Sequence, residues 1–276
     1  SCTEGIFRGM RIEDTIVREL QDAGDLIIPR ECAVCGRRLT GPERHVCIYC
    51  EADLPLTYFW DRRENPMADR LNELIQKRIE KLCAERGTDS VPRMEYARAA
   101  ALFFSHGDAG YKKVPQRVKY GGDRQTGLFY GRLLGRFLKE SEVFTRPDFI
   151  VPVPLHWARH WSRGYNQAEV IARGIAEVTG SELRTDILSR VRRTGTQTKL
   201  SVGQKAANVE HAFRLREGFL REEKAAYGND RPMRIMIVDD VFTTGATMAS
   251  CCAALMDHFQ GKMEISAASL GFVSPE

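Results

Sequence analysis

At 276 residues the chain has room for one domain of about 150–200 residues and a smaller module, because single cores divide before about 250–300 residues. An apolar share of 43% and a charged share of 28% exclude a disordered or fibrous chain, and 41 Lys and Arg against 37 Asp and Glu is too mild an excess to imply nucleic acid by itself. No apolar run approaches the roughly 18–20 residues of a bilayer crossing, and acids and bases stand where a signal peptide would carry its apolar stretch, so no membrane insertion and a cytoplasmic location are expected.

In chain order, residues 1–30 read as a helical segment in which Ile12, Ile16 and Leu20 recur every four positions until Gly24 interrupts them and Pro29 closes the pattern. Residues 31–60 hold a cysteine-rich module. Residues 61–92 read as a connector whose helix, 66–86, is capped by Asn65, has Pro66 in its first turn and carries the stripe Met67, Leu71, Leu74, Ile75, Ile79 and Leu82. Gly, Thr, Asp, Ser and Pro across 87–92 mark the boundary before a larger domain, 93–276. There strands at 97–104, 149–154, 234–239 and 265–273 alternate with helices at 126–137, 167–178 and 246–259. That alternation predicts an α/β fold with a mostly parallel sheet flanked by helices.

Cys32-x-x-Cys35 and Cys47-x-x-Cys50 are separated by eleven residues, a compact form of the four-cysteine spacing of structural zinc. Four thiolates fill a tetrahedral site, so such an ion organises the fold and leaves no open position for catalysis. Disulfides are the competing reading, disfavoured by the expected cytosolic setting. His45 lies inside the loop as an alternative ligand. Cys251 and Cys252 have no such spacing and read as packing residues.

The run over 234–247 is an apolar strand ending in Asp239 and Asp240, followed by Val241, Phe242, Thr243, Thr244, Gly245, Ala246 and Thr247, which open a helix. Ligands of open α/β sheets sit at the carboxyl ends of the strands, where paired acids can accept hydrogen bonds from sugar hydroxyls. Backbone N–H groups at a helix N-terminus favour a phosphate, and Gly245 lets the backbone approach it. The bland alternative is a capped helix after an acidic strand end. A Walker B strand is disfavoured because the chain has no Walker A pattern.

Arg159 and Arg163, four residues apart after the strand at 149–154, can face one anion, and Arg pairs bidentately with phosphate oxygens. From Arg184 to Lys205 six bases, with Arg192 and Lys199 among them, stand against one acid. This stretch reads as a loop able to close over a polyphosphate, with a solvated loop as the alternative. A second basic stretch, 112–124, contains Lys119.

The strand, Asp-Asp, hydroxyl-rich turn and Gly of residues 234–247 resemble the signature of the type I phosphoribosyltransferases. The order of the pieces, over almost the entire chain, resembles the ComF family, also called GntX. Those pieces are Leu26-Ile-Ile-Pro29, Lys119-Tyr-Gly-Gly-Asp123, Val151-Pro-Val-Pro-Leu-His156, Arg163-Gly-Tyr-Asn-Gln167, Arg192 with Thr194, Gln197 and Leu200, and residues 238–247. Lys205 departs from the Arg of many members, which leaves a point charge at that place in the loop.

The resemblance implies a phosphoribosyltransferase-like domain with an N-terminal zinc module, binding 5-phosphoribosyl-1-pyrophosphate (PRPP) with magnesium. It puts Asp239 and Asp240 at the ribose hydroxyls and residues 241–247 around the 5-phosphate. It further implies an association with natural competence and DNA uptake, and competence proteins as partners. Transfer to an acceptor would need no nucleophilic side chain, because such enzymes hold the leaving pyrophosphate and stabilise a cation-like ribose. Two non-catalytic readings stand beside it: a PRPP sensor, and a handler of single-stranded DNA whose basic stretches are interleaved with Tyr111, Tyr120, Trp157, Trp161 and Tyr165.

Overall fold

The computed structural model describes residues 30–87, 95–105, 111, 114–116, 123–155, 164–191, 212–219, 231–259 and 263–274. The expected helix within 1–30 lies outside them, as do Lys119, Tyr120, Trp157, Arg159, Trp161, Arg163, Arg192 and Lys199. The chain divides into two compact units, residues 1–54 and 55–276.

In the first unit the described chain makes a tight turn, in which Cys32 N donates to Arg37 O and Gly36 N to Cys32 O, followed by the short helix α1 (Ile48–Ala52). The carboxylate of Glu43 ties the two together by accepting from Thr40 N and Ile48 N at 2.9 Å and from Arg37 at 2.8 Å.

The second unit starts with a 3₁₀ turn (Phe59–Asp61) and helix α2 (Pro66–Arg86). Asn65 caps α2 by accepting from Met67 N and Ala68 N, Pro66 occupies the first turn, and Gly87 ends it. After these come β1 (Arg98–Phe104), α3 (Arg124–Glu140), β2 (Phe149–Pro152), α4 (Gln167–Thr179) and β3 (Glu182–Leu183). A hairpin of β4 (Leu188–Arg190) and β5 (Phe213–Leu215) precedes β6 (Met233–Phe242), α5 (Ala246–Phe259) and β7 (Met263–Phe272).

Five strands form one parallel sheet in the order β1-β7-β6-β2-β3. The expected α/β architecture is therefore present. Helices α3 and α4 pack against each other, and α2 packs against α5. A Cβ on Gly174 would lie 2.7 Å from Leu128 O, and one on Gly131 2.5 Å from Ile171 O, so the α3–α4 contact is backbone against backbone. Ile235, Met236, Ile237 and Val238 form a continuous buried run in β6, as a strand covered on both faces requires.

The outer edge of β1 is covered by side chains and chain from residues 55–72. Asn72 exchanges hydrogen bonds with Ala97, Asn65 Nδ2 donates to Ala99 O at 2.9 Å, and Thr57 Oγ1 donates to Ala101 O. Thr57 N donates to Leu102 O, and Phe104 N to Pro55 O.

Candidate functional site

Adjacent strands β2 and β6 send their connections in opposite directions across the sheet. β2 leads through α4 to β3 on one side, and β6 leads through α5 to β7 on the other. The crevice outside their carboxyl ends is thus a topological switch point, the usual ligand position in open α/β sheets. Asp239 and Asp240 stand there.

β6 does not stop at the acids. It stays paired with β7 through Asp239↔Ser269, Val241↔Gly271 and Phe242↔Phe272. Phe242 is buried and stacks on Phe272 with ring centroids 6.0 Å apart, and this apolar anchor prolongs the strand by three residues beyond the sequence expectation. The turn proper is then Thr243, Thr244 and Gly245. Both threonines are exposed, while Gly245 is buried at φ +78°. Ala249 N donates to Gly245 O as α5 begins, so the amides of Ala246, Thr247 and Met248 belong to the first turn of that helix. Asp240 is 5% exposed, and one of its oxygens accepts from Val241 N at 2.9 Å, while Asp239 accepts from Asp240 N. Carboxylates held by backbone amides keep fixed directions at the strand end.

Two of the basic segments are rooted at this edge. Val153 N continues the β2–β6 pairing by donating to Val238 O, and Val153 O accepts from Asn166 Nδ2 at 3.0 Å. Asn166 also caps α4 by accepting from Ala168 N. The end of the Arg163-to-Gln167 motif is thereby fixed beside the Asp239 strand. Asp123 caps α3, and the next residue, Arg124, donates to Gly164 O and lies 4.7 Å over the Tyr165 ring. The ends of the two segments therefore meet.

The third basic segment leaves from the β4–β5 hairpin, which is closed by Val191 N donating to Ala212 O, and β5 packs on α5. At the hairpin's end, Arg190 lies 5.2 Å over the Phe213 ring. Sequence reasoning passed over Arg124 as a member of a basic stretch and over Asn166 as a motif letter. Only the N-cap grammar of Asp123 and Asn166 pointed toward their positions.

Tyr111 and Tyr165 are buried, against Phe103 and under Arg124 respectively, so these two rings are packing elements and not open stacking surfaces. Cys251 and Cys252 are fully buried on α5, as packing residues should be, and burial raises both thiols, Cys252 to about 12.

In the first unit the Sγ atoms of Cys32, Cys35, Cys47 and Cys50 all lie within 4.8 Å of one another. They are the one such group of potential metal ligands among the described residues. Cys35 and Cys47 sulfurs are 3.8 Å apart, the spacing of about 3.8 Å that a tetrahedral ion with sulfur bonds of about 2.3 Å demands. Burial opposes ionisation of Cys32, but backbone amides of Cys35 and Cys47 outweigh it and lower the thiol to about 6. Burial and the neighbouring thiols of Cys47 and Cys35 push Cys50 the other way. Without a cation, charge on one sulfur opposes charge on the next, and a bound metal removes that conflict.

No family model matches the chain. It is 38% identical over 139 residues to the DNA utilization protein YhgH of Salmonella typhimurium, covering 48% of this chain and 56% of that protein. It is 33% identical over 141 residues to Competence protein F of Haemophilus influenzae, with the same shares covered. Over the shared span it is similar to these DNA utilization and competence proteins. Competence protein ComFC of Streptococcus pneumoniae is a more distant relative, 27% identical over 132 residues. The chain spans about half the length of the curated relatives it matches. Among the described residues, no helix is long and apolar enough to cross a membrane.

Proposed function

We propose that the chain is a cytoplasmic ComF-family protein that binds PRPP with magnesium at the β2–β6 switch point, with zinc held by Cys32, Cys35, Cys47 and Cys50. The observation that carries this reading is the Asp239-Asp240 pair near the carboxyl end of the central strand, followed after Val241 and Phe242 by a turn of exposed Thr243 and Thr244 and buried Gly245 into α5. In it, Asp239 and Asp240 accept hydrogen bonds from the ribose hydroxyls. The amides and hydroxyls of residues 243–247 surround the 5-phosphate, each bond to a charged group contributing about 1.5–3 kcal/mol. Arg159, Arg163, Lys119, Arg192 and Lys199 are the pyrophosphate and loop contacts of the proposal, on segments of which two end at the same edge. Magnesium supplies charge neutralisation on the pyrophosphate.

The reaction this site serves is attack of an acceptor nucleophile on the anomeric carbon of the ribose. The bond from that carbon to the pyrophosphate oxygen breaks, and pyrophosphate leaves with the bonding electron pair. The names of the relatives support a role in DNA utilisation and natural competence, with single-stranded DNA and competence proteins as proposed partners.

The test is calorimetric titration with PRPP and magnesium, comparing the native chain with Asp239→Asn/Asp240→Asn. Saturable binding that the double substitution abolishes is expected, and pyrophosphate release with an acceptor separates an enzyme from a PRPP sensor. Folded protein that ignores PRPP but binds single-stranded DNA, with affinity falling steeply as salt rises, would overturn the PRPP site in favour of DNA handling.

A further inference from the structure

The phosphate turn is clamped from one side by a residue distant in sequence. A Cβ added to Gly245 would lie 2.6 Å from Cζ and 3.1 Å from Cε2 of Phe242, and 3.0 Å from Cδ1 of Leu74 on α2. The glycine therefore sits between an aromatic ring and an aliphatic side chain with no space for a methyl group.

The two jaws are held by different means. Phe242 stacks on Phe272, whose ring meets Phe59 edge-on at 5.2 Å. Leu74 is carried by α2, whose first two turns are bolted to β1 through Asn65–Ala99 and Asn72–Ala97. Leu74 itself is only partly buried, unlike Leu71 and Ile75 in the same stripe. It lies at the rim of the turn and not in the core.

We propose that Leu74 is a positioning residue for the anion-binding turn, holding residues 243–247 in the conformation that aims their amides at the ligand. The inference rests on the ligand reading above, which it deepens by adding α2 to the site. Backbone donors bind an anion tightly only if they are aligned beforehand, because ordering them on binding subtracts from affinity. Truncating Leu74 frees one side of the turn and leaves the acids, the threonines and the glycine in place.

The experiment compares the full-length protein with Leu74→Ala, Leu74→Met and Leu71→Ala, by PRPP–magnesium titration, thermal unfolding and amide hydrogen exchange over residues 243–247. Leu74→Ala is expected to weaken PRPP binding about ten-fold and to speed exchange in the turn, and Leu74→Met to restore both. Leu71→Ala, which opens a cavity in the core, is expected to lower the unfolding temperature more yet to bind as the native chain does. Native affinity and native exchange in Leu74→Ala would overturn the proposal, as would equal loss of affinity in Leu71→Ala. If the native chain itself does not bind PRPP, the ligand reading fails. The clamp is then judged by exchange alone, with unchanged protection in Leu74→Ala refuting it.

Discussion

Asn65→Ala is the substitution whose cost can be worked most directly from the structure. Asn65 is 4% exposed, and its amide uses both ends. Oδ1 accepts from Met67 N at 3.1 Å and Ala68 N at 3.0 Å, and Nδ2 donates to Ala99 O at 2.9 Å and Arg62 O at 3.1 Å. Alanine removes the N-cap, at about 1 kcal/mol, and leaves the buried carbonyl of Ala99 without that donor, at about 1–3 kcal/mol. The sum, about 2–4 kcal/mol, corresponds to a fall of about 4–16 °C in the unfolding temperature of a domain this size. Thermal unfolding followed by far-ultraviolet circular dichroism measures it. Asn65→Asp separates the two contributions. The carboxylate can still cap α2 but cannot donate to Ala99 O, and it places a charge against that oxygen, so it should cost at least as much as alanine. Asn65→Ala within about 0.5 kcal/mol of the native chain, or Asn65→Asp as stable as native, would refute the reasoning.

Cys47→Ser should abolish stoichiometric zinc, measured as metal released on thiol modification, and unfold residues 30–54 while the sheet's circular dichroism persists; a full equivalent of zinc in that variant would exclude the four-sulfur site. Asp148 receives two guanidinium hydrogen bonds from Arg231 at 2.8 Å, and these, against the opposing effect of burial, hold its carboxyl below the ordinary range. A lowered folded value contributes stability in full above about pH 5, and that stability is lost as pH falls through about 3.9 and below. Asp148→Asn should therefore unfold at lower urea than the native chain at pH 7, with the gap closing below about pH 3. A gap independent of pH would show that the ion pair does not carry it.

The elements with local signals were legible. Asn65-Pro66 before a 3.6-residue apolar stripe and the apolar run into Asp239-Asp240 each announce themselves within a few residues, and both appear in the structure. The extension of β6 to Phe242 was not legible, because what prolongs the strand is Phe272, thirty residues further on, stacked on the Phe242 ring. The covering of the β1 edge was equally hidden. Asn72 and Thr57 look like ordinary polar residues until the fold sets them against Ala97 and Ala101. Leu74 was read correctly as a member of an apolar stripe, but periodicity cannot say which member reaches past the core to Gly245.

The location of the acids follows from the order of strands more than from their own pattern. An Asp-Asp pair at the end of any buried strand could be a polar cap, and a Thr-Thr-Gly turn could be a helix start. In this sheet the crossovers on either side of the β2–β6 boundary diverge, which makes the space outside those two carboxyl ends a topological switch point. The same boundary carries Val153 and Asn166, which fix the end of the Arg163-to-Gln167 motif, and α5 packs on β5, the strand of the hairpin that follows the third basic segment. Asp239 and Asp240, the turn at 243–245 and the described ends of two basic segments, at Asn166 and Arg124, thus lie at one sheet edge set by the winding of the chain, which is why their order along the sequence carries more information than any one of them alone.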